Sequence, residues 1–339
     1  MKTRIVVGVS LIVVVLAMAN LFVSNAQQAI PAAAQQSAAN GAPPLSNPLK
    51  VALLKWYQAN QTTNITVGNA PYGVAFDGAN IWTANSADGT VTKLRASDGT
   101  VLGTFNVGGV PFGVTFDGAD IWVSENPGSV VTKLRASDGK NLGTFAVGSG
   151  PAWMAFDGAS VWVPNGNSGT VTKLRAFDGK NLGTFNTGGT ATGAAAFDGT
   201  YVWVTNYNGN TIVRLREDGS NAGLFPVGHN PIGVAFDGAN IWVANNGDRT
   251  ATKLRARDGA VLGTFTTGGA PVGVVFDGQD IWFTLPSTGC LAELQPSDGA
   301  YLVGACPLGQ IQGYGPVGIA FDGANIWTAN IYGNVASKL

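Results

Sequence analysis

A single histidine, His229, is present in 339 residues. General acid–base chemistry near neutral pH would therefore run through it or through a carboxylate of shifted pKa. His229 lies in VGHNPIG, a segment whose other copies carry Gly, Ser, Asn or Thr at that place. It reads either as a general acid or base or as a plain surface-loop residue. Most carboxylates are already committed. Asp77, Asp117, Asp157, Asp198, Asp237, Asp277 and Asp322 stand in Phe-Asp-Gly turns. Asp98, Asp138, Asp178, Asp218, Asp258 and Asp298 stand in a second set of Asp-Gly turns, where Asp bonds its own backbone. The remaining acids include Asp88, Glu125 and Asp248, each from a different part of the chain. Neither the paired carboxylates of a glycoside hydrolase nor an acidic calcium loop is present. The residues imply no cofactor and no metal.

The elements that must position these side chains follow from an internal period. Phe-Asp-Gly recurs at intervals of 39 to 45 residues, each time followed by a tryptophan: Trp82, Trp122, Trp162, Trp203, Trp242, Trp282 and Trp327. Each unit splits into four strand-like runs, a to d, separated by Asp-Gly turns and Gly/Asn/Ser loops. In the first unit these are 73–76, 81–84, 90–95 and 101–107. Four antiparallel strands per repeat of about 40 residues predict a propeller blade. The last unit stops at its run c, while an orphan run d, Thr62 to Gly68, precedes the first. The expectation is an all-β, seven-bladed β-propeller over 60–339, its ring closed by the N-terminal strand, which leaves no open edge between the ends. The turn between c and d, SDGT in the first unit, suits a two-residue hairpin with positive φ at both central positions.

On this frame the d–a and b–c loops share one face, the top, and carry Asp88, Glu125, His229 and Asp248. Trp153 breaks the pattern of run a, which elsewhere has Gly73, Gly113, Gly233, Gly273 and Gly318. It puts a large ring near the top mouth, either as a stacking platform for a sugar or aromatic ligand or as a channel plug. The top loops also display Tyr72, Phe112, Tyr207 and Tyr332. The repeated tryptophans read as packing between blades. The Lys-Leu-Arg repeats of run c, such as Lys93/Arg95, read as solvated rim charges and partners of turn carboxylates.

Cys290 and Cys306 open and end the outer hairpin of the sixth unit, and their spacing suits no metal set. One extra residue near Val303, acting as a bulge, would bring them opposite and permit a disulfide. The other reading is a reduced pair.

Charged residues are 12% and apolar residues 45%, with net charge −1. This supports a packed core and offers no basic field for nucleic acid. Lys2 and Arg4 precede a long apolar run, then Ser24-Asn25-Ala26. Residues 1–26 are expected to be a cleaved signal peptide or an uncleaved signal-anchor. Residues 27–47 read as a disordered linker and 48–59 as a pre-propeller segment. Export to the periplasm, cell surface or medium is implied, with membrane contact only through that N-terminus and a monomeric propeller.

The repeat PYGVAFDGANIWTANSADGTVTKLRASDGTVLGTFNVGG resembles the YVTN-type β-propeller repeats of bacterial surface and exported proteins. It is more distantly similar to the propeller of the virginiamycin B lyases. The first resemblance implies a non-catalytic exported scaffold binding a protein, peptide or glycan on its top face. The second implies a lyase in which His229, a top-face acid such as Glu125, and a divalent metal such as Mg would act together. A structural cell-surface assembly module is the third reading, favoured by large apolar patches on the outer rim.

Overall fold

The computed structural model of the chain describes residues 63–305 and 315–339. The segments expected over 1–26, 27–47 and 48–59, and Cys306, lie outside the described residues.

Seven four-stranded antiparallel sheets make up the ring. In blade 1, strand a is Pro71–Phe76, b Asn80–Asn85, c Thr90–Arg95 and d Val101–Asn106. Blade 2 repeats this as Pro111–Phe116, Asp120–Glu125, Val130–Arg135 and Asn141–Ala146. Blade 7 holds Pro316–Phe321, Ile326–Asn330 and Val335–Lys338, and Thr63–Thr66 supplies its outer strand, pairing Thr63 with Lys338 and Thr66 with Val335. The ring closes as the sequence pattern requires.

Each blade is built on its Phe-Asp-Gly turn. Asp77 Oδ1 accepts the N–H groups of Ala79 and Asn80, and its Oδ2 accepts Trp82 Nε1 at 2.8 Å. One carboxylate thus shapes the a–b turn and orients the indole, satisfying the one polar group that burial of a tryptophan must satisfy. Trp82, Trp122, Trp162, Trp203, Trp242 and Trp327 are fully buried. Trp82 packs in one cluster with Val114, Ile121 and Leu134 of blade 2, which makes it an inter-blade residue.

Two expectations need correction. The lysines of the Lys-Leu-Arg repeats are not solvated. Lys93 is 7% exposed, lies over the Trp82 ring at 5.1 Å and donates to Ala136 O of blade 2 at 2.7 Å. Lys133, Lys173, Arg214, Lys253 and Lys338 reach the next blade in the same way. The backbone carbonyls at the neighbour's c–d turn accept what water would have accepted. Only the arginines that end strand c behave as expected, as in the exposed Arg95–Asp98 pair. The c–d turn itself is wider than a two-residue hairpin. Gly99 N donates to Arg95 O, Arg95 N to Thr100 O, and positive φ falls on Gly99 with Asp98 outside that region. Asp98 caps the turn by accepting Thr100 N.

In blade 6, strand c is Cys290–Leu294 and strand d Tyr301–Ala305. A bulge opposite Glu293/Leu294 leaves Leu291 paired with Ala305. The extra residue expected near Val303 is present, and Cys290 is buried at the end of that ladder.

Candidate binding face at the ring mouth

The d–a and b–c loops meet, as their shared face demands. Asp88 of the b–c loop accepts Asn69 N at 2.6 Å and Asn69 Nδ2 at 2.8 Å from the d–a loop. At blade 5 the same geometry joins Asp248 to His229, with the backbone N–H at 2.7 Å and Nδ1 at 2.7 Å. The backbone N–H and ring of His229 hold the Asp248 carboxyl below its ordinary range. His229 therefore occupies a loop-pinning position that Asn69 fills elsewhere, with its ring 69% exposed.

Glu125 is placed differently from the expectation of an accessible acid. It ends strand b of blade 2, where Asn85 stands in blade 1, and it is 6% exposed. Asn85 Nδ2 donates to Thr90 and Thr92 of strand c. Glu125 instead accepts from Thr132 Oγ1 at 2.5 Å. Burial pushes its carboxyl up, against the opposing effect of the Thr132 bond. The carboxylate that meets His229 is Asp248, and Glu125 is turned into its own blade.

The aromatic residues converge more than the sequence suggested. In blades 1 and 2 a register shift between the first and fourth residues of strand a puts Tyr72 and Phe112 on a bulge. Their rings stack at 4.2 Å. Trp153 lies 4.6 Å from Phe112 and 5.6 Å from Tyr72. All three are half-buried. Burial, then the nearby Tyr332, raises the Tyr72 phenol above its ordinary value. Tyr332 itself is 75% exposed. Tyr207 is half-buried in the b–c loop of blade 4 and makes no ring contact with this cluster among the described residues.

Gly73 shows why strand a is normally small here. A Cβ on it would lie 2.2 Å from Phe112 O of the next blade. Blade 3 accommodates Trp153 by shortening strand a to Ala155–Phe156 and bridging Trp153 in parallel to Ala194 of blade 4. Ala152 takes the place of the bulge aromatic, so the indole moves onto the Phe112 ring. Trp153 also lines an axial cavity of about 160 Å³ with Val114, Met154, Val274 and Ile319. Trp153 is thus shared between the ring cluster and the axial cavity.

Charge is segregated. Among the described residues, the mouth loops carry Asp88, His229, Asp248 and Arg249, while the other arginines and lysines lie on strand c or the c–d turns. No group of three His, Cys, Asp or Glu side chains converges to hold a metal among the described residues. Among the described residues, the magnesium that a lyase resemblance implies finds no such three-donor set.

No family model matches the sequence, and no curated protein matches it. Among solved structures the chain is similar to a streptogramin B lyase at 19% identity and TM-score 0.69, covering 82% of this chain and 96% of that one. It is similar to virginiamycin B lyase from Staphylococcus aureus at 17% identity and TM-score 0.71, covering 82% and 98%. It is also similar to Kuenenia stuttgartiensis hydrazine synthase at 17% identity and TM-score 0.69, covering 81% and 96%. At such identities the likeness is one of fold, and by fold this chain is a seven-bladed β-propeller of the kind the virginiamycin B lyases also adopt.

Proposed function

We propose that the protein is an exported, non-catalytic binding propeller whose ligand or partner sits on the top face, at the mouth floored by Tyr72, Phe112 and Trp153. The observation that carries this reading is the breach of the repeat. Three adjacent blades replace the small or aliphatic residues of the template with rings that stack on one another across blade boundaries. Packing within a blade does not require them, because blades 5 to 7 manage with Ile232, Val272 and Val317 at the position of Tyr72 and Phe112. His229, Asp248, Tyr207 and Tyr332 belong to the surrounding loops in this reading, and Glu125 supports the wall from inside.

Export rests on the N-terminal Lys2/Arg4 and apolar run, and the same oxidising destination suits a Cys290–Cys306 disulfide. The hairpin bulge, which sets Leu291 opposite Ala305 beside Cys290, supports it. Peptide mapping without reductant tests the bridge.

The lyase reading has one observation in its favour, the 2.7 Å His229–Asp248 contact, which orients an exposed imidazole. It predicts a turnover abolished in His229→Ala.

Hydrogen-exchange footprinting of the protein with candidate glycans, peptides and proteins tests the binding reading. Protection is expected over 71–73, 111–113, 151–154 and 331–334. Protection confined to the c–d turns would overturn it.

A further inference from the structure

Taking the mouth as the binding site, on which this inference rests, we propose that its ligand is a neutral carbohydrate, one sugar ring lying against Tyr332 and the Tyr72–Phe112–Trp153 floor. The chemistry of the face is the argument. A pyranose presents an apolar C–H face and a rim of uncharged hydroxyl groups. Its recognition calls for an aromatic surface and neutral hydrogen-bonding groups close by, with no net field.

The mouth meets each requirement. Tyr332 keeps 75% of its surface in solvent beside half-buried Tyr72, which is itself stacked on Phe112. The neighbouring loop tips are amides and hydroxyls, with Asn69, Asn167 and Asn208 exposed. Asn334 Nδ2 donates to Asn69 Oδ1 at 2.9 Å and so ties the blade 7 loop that carries Tyr332 to the loop before blade 1.

The two carboxylates of the described mouth loops are hydrogen-bonded within the face. Asp88 is bound to Asn69 and Asp248 to His229. Arg249 is the one Lys or Arg on the described mouth loops. The described mouth loops thus gather no cluster of like charge for a phosphorylated, acidic or strongly basic ligand. Beside the aromatic residues that break the repeat, the exposed loop tips offer mainly neutral amides, a combination that suits a sugar better than an ionic ligand.

The test is calorimetric and fluorescence titration of the purified protein with short neutral oligosaccharides of glucose, mannose and N-acetylglucosamine. A parallel arm uses uncharged peptides rich in aromatic residues. Saturable binding is expected to at least one saccharide series, with affinity changing less than about twofold between about 50 and about 500 mM salt. Tyr332→Ala, whose side chain is exposed and whose fold circular dichroism verifies, should weaken it at least about tenfold, a loss of about 1.4 kcal/mol. Trp153→Gly, which restores the template residue, should weaken it as well. Peptide binding that depends on Tyr332 and Trp153, with no saccharide bound, would overturn the carbohydrate assignment and leave the mouth as the site. Binding by neither class would remove both. Saccharide binding that both variants leave intact, or that falls steeply with salt, would also overturn the proposal.

Discussion

The aspartate of each Phe-Asp-Gly turn does two jobs at once, and its ionisation is part of the blade's stability. Burial pushes the Asp77 and Asp322 carboxyls up, but bonds from the tryptophan, the following Asn and two backbone N–H groups outweigh it and hold them below their ordinary value. The folded state then binds fewer protons than the unfolded chain near that pKa. Their contribution is present above about pH 4 and is lost as pH falls through the lower folded value. The thermal midpoint should drop on acidification below about pH 4, and Asp77→Asn should drop less over that range because one titrating group is gone. Asp77→Ala orphans the buried Trp82 N–H and two turn donors, and should cost about 1–3 kcal/mol in urea unfolding at neutral pH.

At the scale of the strand, the Lys-Leu-Arg triplet shows that two residues of one charge can have opposite fates. Lys133 is 6% exposed; it lies over Trp122 at 5.1 Å, pairs with Asp120 at 2.9 Å and donates to Ala176 O of the next blade. Arg135, two residues on, pairs with Asp138 in solvent. Lys133→Met leaves Asp120 without its cation and removes the bond to the next blade, and should cost about 3–5 kcal/mol. Arg135→Ala should cost at most about 1 kcal/mol. Equal costs in chemical denaturation would refute the division. Period-two alternation assigns both residues to one side of strand c. It cannot tell a side facing water from a side facing another blade's carbonyls, because that depends on how the sheets stack.

At the scale of the ring, a strand-c cation spans every seam except that between blades 6 and 7. There Glu293 holds the lysine's position, paired with Trp282 across the ladder, and Trp282 is only partly buried. Burial, then the charges of Asp280 and Asp277, pushes the Glu293 carboxyl up to about 7. For an acid whose folded pKa is raised, the folded state binds the extra proton. Stability is then expected to fall as pH rises from the unfolded value of about 4.5 through about 7, and to level off above. Glu293→Gln should flatten that limb. Glu293→Lys should raise the thermal midpoint at pH 8 by supplying Asp277 and Asp280 with the cation that Asp117 and Asp120 have in Lys133. Closure itself is testable. Truncation through Thr66 removes the partner of Val335–Lys338 and should abolish the cooperative transition, whereas truncation through Ala59 should preserve it.

The number of blades, their strand order and the closing strand were all legible in the linear pattern. So were the turn role of the aspartates and the inter-blade role of the tryptophans. A repeat states its own period, and an unmatched strand at each end leaves one way to complete the last sheet. The mouth was legible only as a set of exceptions: Trp153, His229, Glu125, Tyr72, Phe112, Tyr207 and Tyr332. Which exceptions act together was decided in three dimensions. Tyr72, Phe112 and Trp153 follow one another about 40 residues apart along the chain, yet their rings lie within 6 Å in space because strand a of each blade abuts the next. Glu125 turned inward because it replaces a framework asparagine, and His229 found Asp248 because d–a and b–c loops share an edge. Sequence sets what each blade is made of; the stacking of blades around an axis sets which side chains meet, since those contacts lie between repeats and leave no periodic trace within one.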